Sequence, residues 1–325
     1  MLSRTRYKGM AFSLDDVFKN VRRVASVWPI DFKPENISFG EHPSRRIGDG
    51  IDFGRITEFD PMIHDPFRIN WLAVNPFDED ELMVRENIEN KEADFILACD
   101  LSTSMTFSVR DQQHKERMLL EVYGDCALTC LRAQDPAGMV TFANDILFYD
   151  LQPRKTEDAI YYNIAQMYEF FSQVRTGGRG KLKRSETDYL CLFEFIRSRY
   201  GSRKIYIIVI YDFIGIEKHD PEFIREFMGD HEVSFIYLDD PDEFRVRSNS
   251  GYVWNEDIET GEQVMISVDD LSKIEAETRA ARSKYRDLCD MQGIHSIVLE
   301  YGDNEQLRKY VERLVRFVYI RGASK

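Results

Sequence analysis

Two stretches decide the fold: Asp94-Phe-Ile-Leu-Ala-Cys-Asp100 and Lys204-Ile-Tyr-Ile-Ile-Val-Ile-Tyr-Asp212. Each is an apolar run of strand length without the alternation of a half-exposed strand, and each ends in aspartate. A strand that is apolar on both sides must be covered on both faces, which calls for a mainly parallel sheet with helices above and below it. The neighbouring segments fit that arrangement. Helical spacing marks Lys115 to Ala133, Thr156 to Gln173, Thr187 to Tyr200, Pro221 to Gly229 and Asp269 to Gln292, with a closing helix expected over Asn304 to Ile320. Strand-length runs mark Gly138 to Phe142, Ile146 to Leu151, Val233 to Asp239 and His295 to Tyr301. The alternation predicts a doubly wound, mainly parallel α/β sheet of Rossmann-like type over residues 93–322. Strand-like residues around Glu259-Thr-Gly-Glu262 predict a β-hairpin inserted at about 245–268.

Outside this region the rhythm changes. Residues 1–32 are read as an N-terminal amphipathic helix, with Leu14, Val17, Phe18, Val21 and Val24 on one face, Ser13 at its cap and Pro29 at its end. Arg22 and Arg23 are matched by Asp15 and Asp16, so a docking helix is expected rather than one lying on a membrane. Residues 33–92, broken by Gly, Pro and Asp as in Gly48-Asp-Gly-Ile-Asp-Phe-Gly54, are read as a small β-rich module. The acidic run Asp78-Glu-Asp-Glu81 within it is read as a solvated turn.

With 57 acidic against 43 basic residues in 325, the net charge of −14 argues against nucleic acid and anionic membranes as general partners. The five cysteines are odd in number and form no C-x-x-C pair, which fits a reducing compartment, and a cytoplasmic protein is expected. Cys126 and Cys130, one helical turn apart without a histidine pair nearby, are read as buried thiols. No apolar run is long enough to span a bilayer and the first residues lack a signal-peptide core, so neither membrane insertion nor export is expected.

In an open α/β sheet, ligands bind beyond the carboxyl ends of the strands, where the winding reverses. With strand order 3-2-1-4-5-6, Asp100 and Asp212 face one crevice at that point. The first strand continues Leu101-Ser-Thr-Ser-Met105, and Thr187 sits in the turn Ser185-Glu-Thr-Asp188. Asp100, Ser102, Ser104, Thr187 and Asp212 are all hard oxygen donors, the set that suits Mg²⁺ or Mn²⁺. If the hydroxyls bind directly and the carboxylates act through water, the ion keeps net positive charge and an open position for a carboxylate. That describes an adhesion site better than a catalytic one. The competing reading is a Mg²⁺-dependent, phosphatase-like hydrolase with Asp100 as nucleophile. Such chemistry wants a second carboxylate two residues on, where this chain has Ser102, and none of the six histidines falls in the strand-end motifs. The chain is therefore read as a binding module rather than an enzyme.

These residues resemble the metal-ion-dependent adhesion site of von Willebrand factor A domains. The preceding region is similar to the signature of the bacterial family called domain of unknown function fifty-eight. It runs from Gly40-Glu-His-Pro-Ser-Arg45 through Asp65-Pro-Phe-Arg-Ile-Asn-Trp71 to Leu82-Met-Val-Arg85. His231-Glu-Val233, Asp240-Pro-Asp-Glu243 and Glu259-Thr-Gly-Glu262 also look like family positions. The chain departs from the family pattern at His64-Asp65-Pro66 and at Asn70. The resemblance implies a metal-dependent adaptor that works with a MoxR-type AAA+ ATPase in the assembly or maturation of a client complex, accepting an acidic residue of a partner at the metal. One more feature stands apart. Arg175-Thr-Gly-Gly-Arg-Gly-Lys-Leu-Lys-Arg184 holds five positive charges in ten residues but lacks the G-x-x-x-x-G-K-[ST] spacing. It is read as a surface loop, with contact to an acidic partner as the sharper alternative.

Overall fold

The computed structural model describes residues 9–24, 39–48, 52–60, 67, 69, 82–91, 95–106, 113–132, 137–151, 155–176, 187–201, 203, 205–213, 220–229, 231–240, 251–256 and 263–301. The chain opens with α1 (Leu14–Val24) and then β1 (Phe39–Gly48), β2 (Asp52–Glu58) and β3 (Met83–Lys91). Next come β4 (Phe95–Asp100), α2 (Thr103–Thr106), α3 (His114–Arg132), β5 (Ala137–Phe142) and β6 (Ile146–Asp150). They are followed by α4 (Glu157–Arg175), α5 (Tyr189–Tyr200), β7 (Tyr206–Tyr211), α6 (Pro221–Met228) and β8 (Glu232–Asp239). The series ends with β9 (Tyr252–Glu256), β10 (Gln263–Ser267), α7 (Val268–Met291) and β11 (His295–Glu300). The expected closing helix, the acidic run at 78–81 and the Gly-rich part of the basic loop lie outside the described residues.

The central sheet runs β11-β8-β7-β4-β5-β6, which is the order 3-2-1-4-5-6 when its strands are numbered along the chain. Five strands are parallel, and β6 alone runs antiparallel, against β5. The two founding strands are buried along their whole length, as their unbroken apolar sequence requires. Their residues alternate between two cores. Phe95, Leu97 and Cys99, with Ile208 and Ile210, meet α1, α3 and α4 on one face. Ile96 and Ala98, with Ile207, Val209 and Tyr211, meet α5, α6 and α7 on the other. Both faces are thus covered by helices, and the winding direction reverses between β4 and β7.

The N-terminal helix docks on the protein's own α/β core. Val17 and Val21 are fully buried against α3 and α4, and Phe18 meets the Tyr161 ring edge-on at 4.8 Å. The Asn20 amide donates to Glu121 Oε1 at 2.8 Å. The expected cap is present, with the Ser13 hydroxyl accepting from Asp16 N–H at 3.2 Å.

β1, β3 and β2 form a three-stranded antiparallel sheet. β9 and β10 form the inserted antiparallel hairpin, which leads without a break into α7. Ser267 caps that helix by accepting from Asp270 N–H. All five cysteines are free thiols, and Cys126 and Cys130 are fully buried. Burial pushes the Cys126 thiol far above its ordinary value and Cys191 up to about 12, so neither is a ready nucleophile. Among the described residues, no helix is long and apolar enough to cross a membrane.

Candidate functional site

Asp100 is the last residue of β4, and Asp212 follows the last residue of its neighbour β7. Cys99 is level with Ile210 across the two parallel strands, so both carboxylates emerge at one sheet edge, at the winding reversal. The turn after β4 is tied down by its own polar groups. Ser102 N–H donates to Asp100 Oδ1 at 2.8 Å, and the hydroxyls of Ser102 and Ser104 lie 2.8 Å apart. Leu101 N–H donates to Phe142 O at the end of β5, and Asp188 N–H donates to Ala143 O one residue further on. Two backbone hydrogen bonds therefore bring the Thr187-Asp188 turn to the same edge as Asp100. Asp188 also caps α5, its carboxylate accepting from Leu190 N–H at 2.8 Å. Asp100, Ser102, Ser104, Thr187 and Asp212 are each at least 96 % buried, which is unusual for polar side chains at strand ends.

This donor set suits a small hard cation by its chemistry, since every donor is an oxygen. The Ser102 and Ser104 hydroxyls share a hydrogen bond of 2.8 Å, which holds the two oxygens side by side. Among the described residues there is no cluster of three or more His, Cys, Asp or Glu side chains. A cation here would rest on two carboxylates and three hydroxyls.

The structure adds a residue that no motif in the sequence marked. Lys115, in the first turn of α3, is 2 % exposed and donates from Nζ to Asp212 Oδ2 at 3.1 Å. Taking an ammonium and a carboxylate out of water costs several kcal/mol each before their attraction is counted, so the pair persists only because each meets its opposite. The ammonium offsets the charge of one of the two strand-end carboxylates. Nothing in Gln113-His-Lys-Glu116 announces this role, because lysine is common in exposed helix turns.

Around this centre the backbone is strained and well braced. Phe213, immediately after Asp212, and Gln113, two residues before Lys115, both have positive φ, 76° and 56°. Residues other than glycine pay of order 1–3 kcal/mol for that conformation, and such strain concentrates at functional sites. Phe213 is held by the rings of Tyr237 and Tyr285 at 5.3 and 5.4 Å. Gln113 is held by the N-terminal segment, donating to Gly9 O and accepting from Ala11 N–H.

On the other side of Lys115, Glu116 is fully buried and accepts from Arg175 Nε at 2.7 Å. Arg175 also donates to Thr106 O, the end of the turn that carries Ser102 and Ser104. The first arginine of the basic loop is therefore an internal brace rather than part of a surface patch. Burial pushes the Glu116 carboxyl up to about 7, against the opposing pull of Arg175. His114, beside Lys115, stacks on Tyr301 at 3.8 Å with Nδ1 3.4 Å from Asp240.

The family described as "Protein of unknown function DUF58" matches residues 69–286, about two thirds of the chain, including all five candidate ligands and Lys115. No curated protein matches the sequence.

Proposed function

The chain belongs to the DUF58 family, and from that premise we propose that it is a metal-dependent protein-binding adaptor, its α/β unit a von Willebrand factor A-like domain. In this reading Asp100, Ser102, Ser104, Thr187 and Asp212 hold Mg²⁺ or Mn²⁺ as a metal-ion-dependent adhesion site. The bound ion supplies a Lewis-acidic position for one carboxylate of a partner protein. The observation that carries the proposal is the meeting of two buried carboxylates on neighbouring strands with the buried hydroxyls of Ser102, Ser104 and Thr187 at the winding reversal.

Lys115 strengthens the reading through its charge. The ammonium offsets one carboxylate, so a divalent ion held here would keep more of its positive charge toward an incoming anion. A positive site that keeps an open position attracts an anion. A hydroxyl at position 102, where acid–base hydrolysis would want a second carboxylate, favours binding over turnover.

The partner proposed is a MoxR-type AAA+ ATPase acting on a client complex in the cytoplasm, on the strength of the family resemblance. Capture of that ATPase by the tagged full-length chain tests the proposal. Capture should require Mg²⁺ and fail in Asp100→Ala and Ser102→Ala; equal capture in excess chelator would overturn it.

A further inference from the structure

Four consecutive residues at the start of α3 each reach a different part of the molecule. Gln113 reaches the N-terminal segment, His114 the chain just past β8 and β11, Lys115 the residue just past β7, and Glu116 the end of α4. The last three tie the turn to other parts of the α/β unit. Gln113 ties it to a segment outside that unit.

Gln113 stands where a helix cap stands, its carbonyl accepting from Arg117 N–H at 3.1 Å. A cap residue ordinarily has extended backbone and spends its side chain on the N–H groups of its own helix. Gln113 instead has φ 56°, and its buried amide donates to Gly9 O at 2.8 Å and accepts from Ala11 N–H at 2.7 Å. A conformation of this kind persists only where the surroundings impose it. The segment that imposes it is itself anchored on α4. Met10 and Phe12 are buried, Phe12 O accepts from the Tyr168 hydroxyl at 2.6 Å, and the two rings meet edge-on at 5.5 Å. Gly9, with φ 87°, lies so close to the end of α4 that a Cβ there would stand 3.3 Å from Arg175 Cβ and Thr176 Cγ2. Residues 9–12 thus bridge α4 and the start of α3, and the direction in which the chain enters α3 decides where Lys115, two residues on, meets Asp212.

We propose that Gln113 is a positioning residue through which the N-terminal segment seats Lys115 on Asp212. With residues 9–12 docked, the ammonium stays buried against the carboxylate. With them displaced, Gln113 relaxes toward extended backbone, the first turn of α3 shifts, and Lys115 moves out to solvent. The segment thereby sets the charge at the Asp100–Asp212 edge from outside the α/β unit. The proposal stands on the Lys115–Asp212 pair and holds whether or not a cation binds beside it.

Competitive acetylation of the full-length chain with limiting sulfosuccinimidyl acetate, read by peptide mass spectrometry, tests the coupling. In the wild type, Lys115 should label far more slowly than Lys273, whose side chain is 73 % exposed. Gln113→Gly removes both hydrogen bonds and lets the backbone relax in either direction. Gly9→Val puts a branched side chain at positive φ and against Arg175, leaving the sequence of α3 untouched. Each variant should speed Lys115 labelling about tenfold or more, with Lys273 unchanged. Cys126, fully buried in the middle of α3, reports global opening through its reaction with N-ethylmaleimide and should stay protected. A merely structural loss would expose Lys115 and Cys126 in step. Unchanged Lys115 labelling in either variant, or a rise matched by Cys126 in both, would overturn the proposal.

Discussion

Lys115 and Glu116 are adjacent in sequence and buried, yet they carry opposite electrostatic burdens. Lys115 meets Asp212 at 3.1 Å with almost no solvent on either group. Removing one member of such a pair leaves the other charged and buried, which costs about 3–5 kcal/mol, whereas removing both charges is often close to neutral. Lys115→Met should therefore lower unfolding free energy in urea by about that amount, and Lys115→Met with Asp212→Asn should recover most of it. Equal losses in the single and double variants would contradict the pairing.

Glu116 titrates in the opposite sense to a surface carboxylate. Its carboxyl is raised from an ordinary 4.5 to about 7, with burial as the main cause. The folded protein therefore holds a proton that the unfolded chain has released. This contribution to stability is fully present below about pH 4.5 and is lost as the pH rises through about 7. Glu116→Gln removes the titration while keeping an acceptor for Arg175. The stability difference between wild type and Glu116→Gln should shift by on the order of 2 kcal/mol between pH 5 and pH 8, in favour of the variant at high pH. A pH-independent difference would show that Glu116 titrates normally.

At the scale of elements, the join between α1 and the α/β core depends on one glycine. A Cβ at Gly124 would lie 2.6 and 2.7 Å from the two Val21 methyls and 3.0 Å from Ile164 Cδ1. In an exposed helix, Gly→Ala stabilises by about 1 kcal/mol. Here the branched Val21 side chain has essentially one helical rotamer and no room to withdraw. Overpacking should reverse the sign and cost about 1–3 kcal/mol. Gly124→Ala should then be destabilising, with faster amide exchange in α1, and Val21→Ala in the same chain should restore slow exchange.

The Thr187-Asp188 turn makes a complementary point. Thr187 reaches the sheet edge because Asp188 caps α5 and its N–H is fixed to Ala143. Asp188→Ala should cost about 1 kcal/mol of stability through loss of the cap. On the proposed function it should also weaken Mg²⁺ binding, without removing any proposed ligand atom.

At the scale of the whole molecule, a ligand that binds only the folded state raises stability by mass action, by about 2.7 kcal/mol at a hundred times its Kd. For a domain of roughly 200 residues that corresponds to a rise in Tm of about 5–10 °C. Mg²⁺ at saturating concentration should produce such a shift, and Asp100→Ala and Ser102→Ala should abolish it.

Much of this architecture is legible in the residues alone, for identifiable reasons. Phe95 to Asp100 and Tyr206 to Tyr211 can only be buried strands, because no half-exposed strand would carry five or six consecutive apolar or aromatic positions running up to an acid. Once two such strands alternate with helices, the handedness of parallel crossovers leaves few topologies, and the observed order is the expected one. The grouping of Asp100, Ser102, Ser104, Thr187 and Asp212 at one edge follows from that order. Local spacing was thus sufficient to place backbone elements and the residues at their ends.

What tertiary structure alone decided is which long side chains turn inward. Lys115, Glu116 and Arg175 have the composition of solvated helix surface, and their sequence context gives no sign of burial. Their roles depend on partners as much as 97 residues away, such as Lys115 to Asp212, and charge pairing at that separation leaves no periodic trace in sequence. The hydrophobic pattern, a local property repeated along each element, determined the sheet and its helical layers. The buried charges, whose opposite partners are brought close only by folding, were settled by the assembled core.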